Sequence, residues 1–145
     1  MTERTGSCRC GQLRATCSGE PVRVSVCHCL ACQQRSGSAF AVQARWPSDR
    51  VVIAGERRSW ERVADSGSKA SYLFCPDCGS TIAYTNESFP GLTAVPVGAF
   101  ADLDFPQPRF SVYEHRKHPW VEITGPDVDH SSSPSSERRP GLSGR

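Results

Sequence analysis

Three cysteines stand within six residues in Cys27-His28-Cys29-Leu30-Ala31-Cys32, at C-x-C-x-x-C spacing. Thiols this close in sequence can converge on one ion. A tetrahedral zinc held by three protein ligands keeps its fourth position for water or substrate. Two pairs flank the triplet: Cys8 and Cys10 in Ser7-Cys8-Arg9-Cys10-Gly11, and Cys75 and Cys78 in Phe74-Cys75-Pro76-Asp77-Cys78-Gly79, a knuckle-type turn. A closed structural zinc takes four thiolates, so the pairs read as one such site, tying early and late parts of the chain together. Cys27, Cys29 and Cys32 are then left as a second zinc site of catalytic type, giving two Zn2+ per chain. Zinc is thiophilic and holds a bound thiol as its anion near neutral pH. Such a thiolate can attack an electrophilic carbonyl.

Other assignments are open at this level. His28 could serve as a fourth ligand and close the triplet, although a ring set between two ligands has difficulty reaching the ion they share. His115, His118 or an acidic side chain could close it from a distance. Cys17 alternates with Leu13 and Ala15 and reads as a small core residue. Two functions therefore stand. One is an enzyme that adds a thiol to a small aldehyde with the help of zinc. The other is a non-catalytic, zinc-stapled binding module for a protein or other acidic partner, met through His115-Arg116-Lys117-His118 and an arginine-rich tail. A ligand count of four plus three favours the enzyme.

The elements that must position these residues are short. Eleven prolines and twelve glycines in 145 residues punctuate the chain throughout. The fold class expected is mainly β: small twisted sheets, sandwich-like and stapled by zinc, with few short helical turns. Strands are expected over 12–18, 22–26, 39–46, 70–74, 82–85, 92–97 and 110–114, with a short piece at 121–123. Gln33 to Gly37 reads as a helical turn closed by glycine. Val51 to Ile53 and Arg58 to Val63 read as a hairpin around Gly55-Glu56. One zinc-binding domain is expected over 1–124, followed by a disordered Ser/Pro/Arg-rich tail over 125–145.

Composition narrows the partners. A net charge of +2, without a basic stripe interleaved with aromatics, argues against nucleic acid. No apolar run approaches the roughly 20 residues that span a bilayer. Met1 to Gly6 is polar, unlike a signal peptide. A cytoplasmic protein without membrane association is expected, and in that reducing setting eight cysteines at local spacings form a metal framework rather than disulfides.

From about Gly6 to Ile123 the sequence resembles the glutathione-dependent formaldehyde-activating enzymes, which share their domain with centromere protein V. The motifs stand in order: Cys8-Arg9-Cys10-Gly11; Cys27-His28-Cys29-Leu30-Ala31-Cys32 followed by Gly37-Ser38-Ala39-Phe40; Phe74-Cys75-Pro76-Asp77-Cys78-Gly79-Ser80; Gly98-Ala99-Phe100-Ala101-Asp102-Leu103; and Pro119-Trp120. The resemblance implies a structural zinc on Cys8, Cys10, Cys75 and Cys78, and a catalytic zinc on Cys27, Cys29 and Cys32. It implies a mainly β fold and a carbon–sulfur lyase activity that joins glutathione to formaldehyde, giving S-hydroxymethylglutathione. The chain departs from many relatives in carrying Phe110-Ser111 where they have a His before the last strand. Glutathione brings two carboxylates, for which Arg35, Arg45 and Lys117 are candidate cations, each read first as solvated surface charge. His28 could donate a hydrogen bond near the site or shuttle a proton. Tyr72, Phe74 and Trp120 read as core or its edge.

Overall fold

The computed structural model of the protein describes residues 1–64 and 67–132. Strands β1 (Glu3–Ser7), β2 (Arg14–Ser18) and β5 (Val51–Ala54) form a three-stranded sheet in the order β1-β2-β5. The remaining strands are β3 (Arg23–Cys27), β4 (Ala41–Pro47), β6 (Arg58–Val63), β7 (Lys69–Phe74), β8 (Thr81–Asn86), β9 (Leu92–Pro96), β10 (Phe110–Val112) and β11 (Asp129–His130). They build an eight-stranded sheet in the order β11-β10-β3-β4-β9-β8-β7-β6. Among the described residues the single α-helix is α1 (Leu30–Ser36), and Gly37 caps it by donating its N–H to the Gln33 carbonyl at 2.8 Å. Mainly β with short helices is thus what the chain forms. No helix of the described residues is long and apolar enough to cross a membrane.

Period-two alternation decides which side chains meet. Ala15 and Cys17 of β2 point at the larger sheet, with Leu13 beside them. They pack on Val24, Ala44, Trp46, Ala83 and Val95. The Trp46 indole N–H donates to the Gly19 carbonyl at 2.9 Å, which lets this ring be fully buried. Cys17 is therefore the core residue that its alternation indicated. The opposite face of the larger sheet carries Ser25 and Cys27 of β3, Gln43 of β4, Tyr84 of β8 and Tyr72 of β7, and α1 packs beside β4.

Three expectations need correction. The segment Val51 to Ile53 does not form a hairpin with Arg58 to Val63: β5 pairs with β2, and β6 pairs with β7. The Gly55 turn passes the chain from one sheet to the other. The 121–123 piece is not a strand, although Val121 is buried. The ordered chain runs past Gly125, because Asp129–His130 adds to β10 in parallel and Asp129 N–H donates to the Arg109 carbonyl at 2.9 Å. The expected tail from 133 onward lies outside the described residues. β1 was not anticipated; Glu3 to Ser7 has no apolar period and is held by its ladder to β2.

Candidate metal centre

Two turns from different sheets bring Cys8, Cys10, Cys75 and Cys78 together. Cys8 to Gly11 links β1 to β2, where the Gly11 N–H donates to the Cys8 carbonyl at 3.1 Å. Cys75 to Gly79 links β7 to β8, where the Gly79 N–H donates to the Cys75 carbonyl at 2.9 Å. Gly79 sits at φ +81, a left-handed conformation that costs a residue with a Cβ energy. All four sulfurs lie within 4.8 Å of one another. Cys10 Sγ is 3.6 Å from Cys8 Sγ and 3.7 Å from Cys75 Sγ. Sulfurs about 2.3 Å from a tetrahedral zinc stand about 3.8 Å apart, so the spacing fits a shared ion, and every cysteine is free rather than disulfide-bonded.

Donors converge on the same sulfurs. The Leu13 N–H reaches Cys8 Sγ at 3.2 Å, and Gln12 Nε2 and the Asp77 N–H reach Cys75 Sγ at 3.1 and 3.4 Å. Burial pushes the Cys75 thiol up, but hydrogen bonds from Gln12, Cys78 and Asp77 outweigh it and leave the thiol below its usual range. The Ser80 side chain and backbone draw Cys78 down to about 5. Cys10 moves the other way, to about 12: the Gln12 backbone pulls it down, while Cys8, burial and the other two thiols push harder. Four thiols this close cannot all ionise without a cation among them.

The triplet is built by one strand end and one helix start. Cys27 closes β3 opposite Ala41, and Cys29 is the N-cap of α1, its sulfur accepting from the Cys32 N–H at 3.4 Å. The three sulfurs again lie within 4.8 Å of one another. Cys27 and Cys32 are buried and Cys29 is half-exposed, so access comes from the Cys29 side. Crowding by Cys29 and Cys32, together with burial, holds Cys27 far above the usual thiol range.

His28 is fully buried but turned away from these sulfurs. Its Nε2 lies 3.0 Å from Ser111 Oγ, and the Ser111 hydroxyl donates to Glu114 Oε2 at 2.6 Å. The same carboxylate oxygen meets His130 Nδ1 at 2.6 Å. Burial pushes the His28 imidazole below its ordinary pKa, with Glu114 opposing. His118 Nε2 meets Gln33 Oε1 at 2.8 Å, and His115 lies against the Tyr113 ring. Among the described residues no histidine nitrogen or carboxylate oxygen joins the triplet. Of the other expected residues, Tyr72 is buried, whereas Trp120 is 73% exposed and leans on His118.

The sequence did not point to Ser25, Gln43 and Tyr84, which run beside the triplet. The Tyr84 hydroxyl donates to Gln43 Oε1 at 2.9 Å, and Gln43 Nε2 donates to Ser25 Oγ at 2.8 Å. Burial pushes the Tyr84 phenol up, Arg35 and Arg45 pull it down, and the Cys32 and Cys27 thiols push it up again. Only strand register assembles this row, so no local motif announces it.

Each cysteine set could hold a metal ion. A Penicillium rubens protein named "Putative glutathione-dependent formaldehyde-activating enzyme" is 27% identical over 82% of this chain and 71% of its own. An uncharacterized lyase of Schizosaccharomyces pombe is 32% identical over 62% of this chain and 64% of its own. A crystal structure of a Rhodobacter sphaeroides protein matches in fold with a TM-score of 0.53 at 20% identity, covering 72% of this chain and 92% of that one. The model of the glutathione-dependent formaldehyde-activating enzymes matches residues 3–116, and the chain belongs to that family.

Proposed function

We propose that this chain is a carbon–sulfur lyase-type enzyme that joins glutathione to formaldehyde, giving S-hydroxymethylglutathione. In this reading Cys8, Cys10, Cys75 and Cys78 hold a structural zinc, and Cys27, Cys29 and Cys32 hold a catalytic one. The observation that carries the reading is the gathering of three sulfurs at Cys27, Cys29 and Cys32, unaccompanied by a fourth protein ligand among the described residues. Cys27, Cys29 and Cys32 would hold a zinc ion there, which would supply a position at which a thiol is kept anionic.

The balance of the reaction is simple. The glutathione thiol gives up its proton to water, its sulfur forms a bond to the aldehyde carbon, the carbonyl π pair moves onto oxygen, and that oxygen takes a proton from water, so no net proton is gained or lost. The chain's own residues supply the setting. β3 and the first turn of α1 fix the three sulfurs, burial of Cys27 and Cys32 keeps water from two sides, and half-exposed Cys29 leaves one approach.

Replacing zinc by cobalt and titrating glutathione tests the proposal through the sulfur-to-cobalt absorption. A saturable change that is lost in Cys29→Ser is the expected outcome, alongside acceleration of adduct formation over the spontaneous reaction. Absence of both would overturn it.

A further inference from the structure

We propose that Arg35, held over a row of aromatic rings, is a carboxylate-binding residue beside the Cys27–Cys29–Cys32 centre and selects a thiol that bears a carboxylate. This rests on the thiol-addition reading and names what that site recognises. Arg35 lies three residues beyond Cys32 on α1, so both side chains leave the same side of the helix. Its guanidinium carbon stands 4.7 Å from the Tyr84 ring centroid and 5.4 Å from that of Tyr72. Tyr84 of β8 is directly opposite Tyr72 of β7, which is directly opposite Trp60 of β6. Their rings follow one another at 5.2 and 5.8 Å. The row runs from beside the triplet to the sheet edge, where Trp60 is 55% exposed.

The position of the row relative to the thiols follows from Tyr84. Its ring carries the Arg35 guanidinium, while its hydroxyl donates to Gln43 Oε1 and Gln43 Nε2 donates to Ser25 Oγ. Ser25 and Gln43, which lead from Tyr84 back along the sheet, stand two residues from Cys27 and from its partner Ala41.

Arg35 is also available. Among the described residues it makes no ion pair, and its guanidinium lies over the two tyrosine rings. A guanidinium lying over a ring keeps its N–H edges pointing sideways, where they match the two oxygens of a carboxylate. Stacking removes the rotamer freedom that a surface arginine loses on binding, so less is lost when the anion arrives. Arg45, buried over Phe89 on the same sheet face, adds to the positive field. A small aldehyde uses none of these features, whereas a carboxylate-bearing peptide thiol uses both the cation and the exposed aromatic end.

S-methylglutathione separates this inference from the chemistry, because its sulfur has no proton to lose and cannot add to an aldehyde. Its binding to the zinc-loaded full chain is measured by calorimetry for wild type, Arg35→Gln and Arg35→Lys, each first checked for an unchanged melting temperature. Loss of a charge-assisted hydrogen-bond pair corresponds to about 10- to 100-fold weaker binding in Arg35→Gln, with Arg35→Lys in between. The diethyl ester of the same probe should bind all three proteins alike, which a merely structural role for Arg35 would not produce. Equal affinity of wild type and Arg35→Gln for the free acid overturns the inference, as does absence of binding to wild type. If wild type still accelerates glutathione addition to formaldehyde in those cases, the proposed function stands without it; if that acceleration is missing too, both fall.

Discussion

His28 sits between two thiols, yet its side chain serves the protein rather than the sulfurs. Neighbours in an extended segment point to opposite sides, so Cys27 and His28 cannot both face the same ion. The ring reaches Ser111 instead, and through it Glu114, which also meets His130 of β11. Burial raises the Glu114 pKa, but the Ser111 hydroxyl, His130 and Lys117 outweigh it, and the carboxyl ends below its ordinary 4.5. A depressed carboxyl contributes stability that is complete above the ordinary value and is lost as falling pH protonates the folded form. Glu114→Gln should therefore lower stability by about 1–2 kcal/mol at pH 7, with the gap to wild type closing below pH 4.5 as acid passes through the lowered folded value. Thiolate ligands protonate in acid and would release any bound metal from both proteins alike, so the difference between paired thermal or urea melts is the quantity to read. A gap unchanged at pH 3 would remove the carboxylate from the account. Cysteine spacing was legible because each pair of ligands is local; Ser111 was not, since it is 83 positions from the histidine it meets.

At the level of elements, the alternation of residues 51–63 correctly marks two strands but says nothing of their partners. Two short apolar runs around a glycine suit a hairpin, and the pattern would look the same if each run joined a different sheet. What decides the matter is a contact remote in sequence. Gln12 Nε2 donates to the Glu56 carbonyl at 2.7 Å while its Oε1 accepts from the Glu56 N–H at 2.9 Å, and that same Nε2 meets Cys75 Sγ. The β5–β6 turn is thereby clamped to the four-cysteine set. Gly55 has φ +117, and a Cβ there would stand 2.2 Å from the Gln12 carbonyl oxygen. Gly55→Ala should thus destabilise the protein by about 2 kcal/mol or more. It should also speed the release of zinc from that set to a chromogenic chelator, because the clamp on Cys75 must shift. A variant that melts like wild type with unchanged release would show that the turn and the metal set are independent.

For the whole molecule, the two cysteine sets differ in what they join. Cys8 and Cys10 belong to the connection within the three-stranded sheet, and Cys75 and Cys78 to a turn of the eight-stranded sheet. A bound ion there cross-links the two layers on either side of the core around Trp46, closing a long stretch of chain. The triplet draws only on the end of β3 and the start of α1, and packs with Ala41 and Val112 in a small cluster of its own. Binding of a structural zinc supplies about 10–16 kcal/mol in small peptides, comparable with the roughly 5–15 kcal/mol that separates a folded domain from its unfolded chain. Cys75→Ser should accordingly cost at least about 3 kcal/mol, seen as a large drop in melting temperature or as failure to fold, with the bound zinc lost. Cys29→Ser should leave the melting temperature near that of wild type while reducing bound zinc from two ions to one. The paired result is the discriminating one, because either variant alone could lose stability through an exposed or buried polar oxygen. If Cys29→Ser unfolds the chain and Cys75→Ser does not, the roles of the two sets are reversed, and the layers are held together at the triplet rather than at the paired turns.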